Sequence, residues 1–225
     1  MKYQIPEGSH NLQNQWVVDH YRYLNERDAE LSEEQKACDS ELTQICDRYL
    51  EHTDKSPHAT YYIKHNYTEF YGDLLRYYRD RKVNVLEIGV RQGGSLLMWR
   101  DYFEAGSIYG IDLHLDAVEV EFDDRIQVFA GDAYDPEVVD TVFQDLLFDV
   151  IVDDGSHRLE DQIECLNIYA ARLRPGGILI IEDIKDVSDA KTIINSFNGR
   201  INKCSIVDRR HCIPSLDDVN VLYYA

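Results

Sequence analysis

The chain has 225 residues, 44% of them hydrophobic, enough for one domain with a sizeable core, and global disorder is excluded. Its 42 acids against 23 lysines and arginines give a charge of −19, which argues against a sequence-independent grip on nucleic acid and against adsorption to anionic membrane. No apolar run approaches the ~20 residues of a bilayer span. The stretch Met1 to His10 lacks the apolar core of a secretion signal, so a cytoplasmic protein is expected.

Residues 1–58 read as a helical N-terminal extension that covers a site or makes a subunit contact. A helix is expected around Trp16 to Leu24. Ser32 with Gln35 resembles a capping box, after which Cys38, Leu42, Ile45, Cys46 and Tyr49 recur at helical spacing. His52 to His58 (HTDKSPH) is a polar joint, and residues 59–225 form the main domain. A helix from Thr68 carries Phe70, Leu74, Leu75 and Tyr78 on one side. Short apolar runs then alternate with helical patterns: Val83 to Ile88, Ile108 to Ile111, Ile126 to Ala130, Phe148 to Val152 and Ile178 to Ile181. Asp135-Pro136 places a cap and a first-turn proline before one of the helices. Strands of four to six residues separated by helices predict an α/β fold with a parallel sheet covered on both faces. Asn202 to Val207 and Val219 to Tyr224 read as an antiparallel hairpin closing one edge. Cys38, Cys46, Cys165, Cys204 and Cys212 are odd in number and form no C-x-x-C pair, so buried thiols are expected rather than a zinc knuckle or a disulfide framework.

The first strand runs into VNVLEIGVRQGGS, with glycines at Gly89, Gly93 and Gly94 before a helix. Ligands of open α/β sheets bind outside the carboxyl ends of the strands, and this turn is the usual place. The dinucleotide fingerprint G-x-G-x-x-G has its second glycine where this chain has Arg91, which weakens any pyrophosphate-cofactor reading. Asp112, closing the second strand, is placed to accept from a ribose diol. Asp132, after the third, could accept from an adenine amino group. Each acid alone reads as a loop or cap residue; one at each strand end points to a nucleoside site.

The fourth strand ends in Asp153-Asp154-Gly155-Ser156-His157 and the fifth in Glu182-Asp183. Neighbouring strands lie ~4.8 Å apart, so four carboxylates would emerge on one rim. Such crowding raises their pKa values unless a cation sits among them, and oxygen ligands suit Mg²⁺ or Mn²⁺. The plain alternative is that these acids cap the helices that follow. Histidine titrates nearest to neutral pH, and His157, beside this cluster, suits a general base.

Together these motifs resemble the class I S-adenosylmethionine-dependent methyltransferases, and more closely the magnesium-dependent sugar O-methyltransferases of the macrocin and mycinamicin type. The stretches that carry the resemblance are Thr53-Asp54-Lys55 with His65 to Tyr71, Glu87 to Trp99, Asp153 to His157 and Ile181 to Ile184. The resemblance implies a Rossmann-like, doubly wound sheet of seven mostly parallel strands. It implies that Glu87, Gly89, Gly93, Ser95, Asp112, Asp132, Ala133 and Asp153 hold S-adenosylmethionine. It further implies that Asp154, Glu182 and Asp183 bind Mg²⁺ or Mn²⁺, with His157 and Asp154 as catalytic residues. A small hydroxylated substrate, a sugar or glycoside, would take the methyl group, and a homo-oligomer is expected. Proteins related to cephalosporin hydroxylases share the DDGSH pattern, so oxidative tailoring is an alternative, as is methylation of a catechol or small phenol. A non-enzymatic cofactor-binding partner subunit is a third reading.

Overall fold

The computed structural model describes residues 41–59, 65–210 and 219–225. The expected helix near Trp16, the Ser32–Gln35 capping box, Cys38 and Cys212 lie outside them, whereas the Leu42 to Tyr49 part of the helix expected after Ser32 is described and is helical. The described helices are α1 (Glu41–Cys46), α2 (Tyr67–Leu74), α3 (Gly94–Tyr102), α4 (Pro136–Phe143), α5 (Leu159–Tyr169) and α6 (Val187–Asn195). The strands are β1 (Asn84–Ile88), β2 (Ser107–Asp112), β3 (Ile126–Ala130), β4 (Phe148–Asp153), β5 (Leu173–Ile184), β6 (Cys204–Asp208) and β7 (Val219–Tyr224).

They form one seven-stranded sheet in the order β3-β2-β1-β4-β5-β7-β6. β1 pairs in parallel with β2 and with β4, β2 with β3, and β4 with β5. β7 is antiparallel to both β5 and β6. The hairpin expected at the edge is thus present, with its second strand inserted between β5 and its first. The strand order reverses at β1 and β4, where the crossovers leave toward opposite edges and a crevice opens at the carboxyl ends.

Side-chain alternation divides the core in two. Val85, Val150, Val152, Ile178, Ile180 and Leu222 pack with α1, α2 and α3 through Leu42, Tyr71, Leu96 and Trp99. Leu86, Ile88, Ile151, Leu179 and Ile181 pack on the other face with α4, α5 and α6 through Phe143, Tyr169 and Ile193. α1 belongs to this core: Leu42, Ile45 and Cys46 are buried in the first cluster. Asp135 caps α4 by accepting from the Glu137 amide, with Pro136 in the first turn, as the Asp-Pro pair predicts.

Two expectations on the chain path differ. Arg174-Pro175-Gly176-Gly177, whose proline and glycines have the composition of a turn, lies inside β5, because the strand already pairs at Leu173 with Phe148 and accommodates the glycines by a register shift. His52 to His58, read as a polar joint, is polar in composition but folded inward: Thr53, Lys55 and Ser56 are buried. Of the five cysteines, Cys46, Cys165 and Cys204 are described, and all three are buried free thiols.

Candidate active site

A cleft of about 1050 Å³ opens at the carboxyl ends of β1, β2 and β4. Gly89, Ser95, Asp112, Asp132, Ala133, Asp154, His157 and Asp183 line it, whereas Glu87, Gly93, Asp153 and Glu182 stand behind its wall. The cofactor-binding and metal-binding positions expected from the sequence are therefore divided between surface and support.

The turn after β1 explains itself residue by residue. Gly89 has φ +90°, and a Cβ there would overlap the Asp154 carbonyl oxygen, so the backbones of the β1 and β4 turns meet at van der Waals contact. Asp112 holds the same turn from β2: its Oδ2 accepts from the amides of Val90 at 2.8 Å and Arg91 at 3.1 Å. Arg91 takes φ +47°, the conformation a glycine would favour there, and reaches Asp54 at 3.4 Å. Asp132 Oδ1 accepts from the Tyr134 amide at 2.9 Å, closing a turn that presents the acid to the cleft.

Alternation decides where the strand-end acids go. Glu87 shares the face of Val85, and Glu182 that of Ile178 and Ile180, so both turn toward α2. Asp153 shares the face of Ile151 and turns the other way. There its Oδ1 accepts from the Tyr134 hydroxyl at 2.8 Å, and burial pushes its pKa up to about 6. The Tyr134 hydroxyl also accepts from the Ser156 amide at 3.1 Å, so one phenol ties Asp153 to the turn carrying His157.

On the α2 side a lysine enters the acidic cluster. Lys55, 1% exposed, donates through Nζ to Asp154 Oδ2 at 2.6 Å and to Glu182 Oε1, with Glu87 Oε1 at 3.4 Å. Burial alone would pull its pKa down, but Asp154, Glu182 and Glu87 hold it well above the ordinary lysine value. Burial pushes Glu87 up to about 7 against the pull of Lys55. Asp183, with φ +55°, breaks the strand alternation and comes round to Tyr67, whose hydroxyl donates to its Oδ1 at 2.6 Å. His65 Nδ1 lies 3.3 Å from the same oxygen without hydrogen-bond geometry. Burial, then the neighbouring Glu182 and Asp154, push Asp183 well up.

His157, at φ +58° and 41% exposed, places Nε2 3.8 Å from Asp154 Oδ1 and 4.0 Å from Asp183 Oδ2. Asp154, His157 and Asp183 each offer one ligand atom, all within 4.8 Å of one another. Glu182, the third carboxylate expected to bind a metal, stands outside that trio, its Oε2 buried without a hydrogen-bond partner. Oxygen donors with one imidazole and an unpartnered buried carboxylate oxygen fit a hard divalent ion such as Mg²⁺ or Mn²⁺. Lys55, Tyr67 and Tyr134 were not among the expected site residues. Thr53-Asp54-Lys55 and His65 to Tyr71 carry part of the resemblance, and nothing in their composition says which distant carboxylates they meet.

Sheet order and cleft define the class: a Rossmann-like fold with its crevice at the strand carboxyl ends. Residues 86–184 match the family model described as a methyltransferase domain. The chain is 38% identical over 132 residues to mycinamicin VI 2''-O-methyltransferase of Micromonospora griseorubida, covering 53% of this chain and 32% of that protein. It is 37% identical over 128 residues to demethylmacrocin O-methyltransferase of Streptomyces fradiae, with the same coverage of each. The chain thus spans about a third of the length of the curated relatives it matches. Among solved structures, the MycE methyltransferase of the mycinamycin pathway, in complex with Mg, SAH and mycinamycin VI, superposes with a TM-score of 0.62 at 25% identity. That match covers 82% of this chain and 54% of MycE. The likeness to macrocin- and mycinamicin-type sugar O-methyltransferases read from the motifs therefore holds in sequence and in fold.

Proposed function

We propose that this protein moves the methyl group of S-adenosylmethionine to a hydroxyl of a sugar or sugar-bearing natural product, assisted by Mg²⁺ or Mn²⁺. The observation that carries the reading is the placement of His157 beside Asp154 and Asp183, on the wall of the same cleft that Asp112 and Asp132 line. The printed names of the relatives, sugar O-methyltransferases, support the acceptor class, and the Mg and SAH named with MycE support the two bound groups.

When bound, the sulfonium supplies an electrophilic methyl group and the divalent ion a Lewis acid that makes an alcohol more acidic. Asp154, Asp183 and Glu182 are the carboxylates that would hold the ion. Asp112 would accept from the ribose and Asp132 from the adenine amino group, and Gly89 allows the close backbone approach of the β1 and β4 turns between them. His157 would take the proton of the acceptor hydroxyl on Nε2, leaving that oxygen to receive the methyl group the sulfonium supplies. Orientation by the cleft walls accounts for several of the remaining kcal/mol, on the order of 7–11 at most for well-aligned reactants.

The reading is tested on His157→Ala. A general base contributes on the order of 10²–10⁴-fold, so turnover should fall by that range. S-adenosylmethionine affinity, measured by calorimetry, should stay within about threefold of wild type, since the base touches the acceptor and not the cofactor. A tenfold loss of cofactor affinity would remove His157 from the role of base.

A further inference from the structure

Each of the three strand-end carboxylates has one oxygen engaged from the same side and one left over. Lys55 Nζ takes Asp154 Oδ2 and Glu182 Oε1, and the Tyr67 hydroxyl takes Asp183 Oδ1. Asp154 Oδ1, Glu182 Oε2 and Asp183 Oδ2 have no hydrogen-bond partner among the described residues. Two of these three, Asp154 Oδ1 and Asp183 Oδ2, are the oxygens that face His157. A carboxylate free to rotate offers either oxygen, whereas one pinned at a single oxygen presents the other in a fixed direction. Hydrogen bonds of this kind orient metal ligands, and their loss typically weakens metal binding ~10–100-fold.

The two donors belong to one structural unit. The Lys55 carbonyl accepts from the amides of Tyr67 at 3.0 Å and Thr68 at 3.3 Å, at the N-terminus of α2, and the Asp54 carbonyl accepts from His65 at 2.9 Å. The His52 carbonyl accepts from Gly94 at the start of α3, tying the segment to the β1 turn. Tyr67 is fixed in turn by stacking on His65 at 5.4 Å and on Tyr71 at 5.4 Å. Lys55 and Tyr67 are each nearly fully buried, so neither donor is a mobile surface group.

We propose that Lys55 and Tyr67 are positioning residues that pin one oxygen of Asp154 and one of Asp183, so that Asp154 Oδ1 and Asp183 Oδ2 stand preset beside His157 as a receptor for a divalent cation, with Glu182 fixed behind them by the same lysine. The segment ahead of β1 is then part of the metal site although it supplies no ligand. This rests on the metal reading above. It also separates two roles for the lysine: an ammonium that merely occupies the cluster opposes a divalent ion, and its removal would tighten metal binding.

The test is Mn²⁺ binding to the metal-free protein, followed by electron paramagnetic resonance, for wild type, Lys55→Met, Lys55→Arg and Tyr67→Phe. Circular dichroism of each variant reports folding. Lys55→Met should bind Mn²⁺ about 10–100-fold more weakly than wild type, Tyr67→Phe about 10-fold more weakly, and Lys55→Arg should recover part of the loss. Mn²⁺ affinity of Lys55→Met equal to or above that of wild type overturns the proposal. Should Lys55→Met fail to fold, Tyr67→Phe decides, and unchanged affinity there overturns it equally. A wild-type protein that binds S-adenosylmethionine but no Mn²⁺ overturns the metal reading itself, whereas wild-type binding with unaffected variants overturns the positioning role alone.

Discussion

Three non-glycine residues of the site, Arg91, Asp183 and His157, stand at positive φ of 47°, 55° and 58°. Such conformations cost about 1–3 kcal/mol each and persist where surrounding structure enforces them. Here the enforcement is visible: Asp112 grips the Arg91 amide, Tyr67 holds Asp183, and Tyr134 holds the turn into His157. Gly89 is the counterpart position where no side chain fits. Gly89→Ala combines φ +90° with overlap against the Asp154 carbonyl, so it should destabilise the fold by at least ~2 kcal/mol, read as a lower midpoint in urea unfolding. An unchanged midpoint would mean that the β1 and β4 turns separate freely. At this scale the sequence was informative about residue type and silent about direction. The strand-end acids were legible from their spacing. Two-residue alternation then sends Asp153 to the opposite face from Glu87 and Glu182, a consequence that could have been drawn from the register of the apolar runs. The positive φ of Asp183, which overrides alternation, could not.

Among the elements, the strands and most helices were readable because each carries its own apolar pattern: Val138, Val139, Val142 and Phe143 after Asp135-Pro136, or Val83 to Ile88 before the glycines. What escaped was long-range placement. The segment 52–58 reads as a joint because it is polar, yet Lys55 within it is buried against carboxylates about a hundred residues away, as in the Lys55–Asp154 contact. The insertion of β7 beside β5 likewise depends on pairing rather than on local pattern. Tyr134 is the clearest link between elements, joining the loop before α4 to the end of β4 and the turn into α5 through Asp153 and Ser156. Tyr134→Phe leaves a buried carboxylate oxygen and an amide without their partner. It should cost about 1–3 kcal/mol of stability and lower turnover, measured by urea unfolding and steady-state kinetics on the same preparation. A variant as stable and as active as wild type would show that the His157 turn is held by other contacts.

For the molecule as a whole, the charge of −19 is unevenly spread: residues 112–164 hold 17 acids against Arg125 and Arg158. Part of that block ends on the cleft, where Lys55 meets Asp154, and Asp153 is buried with its pKa raised. Outside the block, Glu87 shows the consequence of such burial for stability. Its folded-state pKa is raised from 4.5 to about 7, so the folded state binds the proton more tightly than the unfolded chain. Between those values the unfolded chain carries fewer protons, and stability falls as pH rises. In metal- and cofactor-free protein, Glu87→Gln should therefore gain on wild type between pH 5 and pH 8, by on the order of 3 kcal/mol. Urea unfolding at the two pH values checks this, and a constant difference between the two proteins would contradict the buried, pH-sensitive carboxylate.

The proposed activity is metal-assisted methyl transfer to a sugar hydroxyl. It is met most directly by following label from methyl-labelled S-adenosylmethionine into glycosylated macrolide acceptors with free sugar hydroxyls. Transfer should stop with EDTA and return with Mg²⁺ or Mn²⁺. Label transfer that proceeds unchanged in EDTA, or a protein that binds both cofactor and Mn²⁺ yet methylates none of these acceptors, would contradict it.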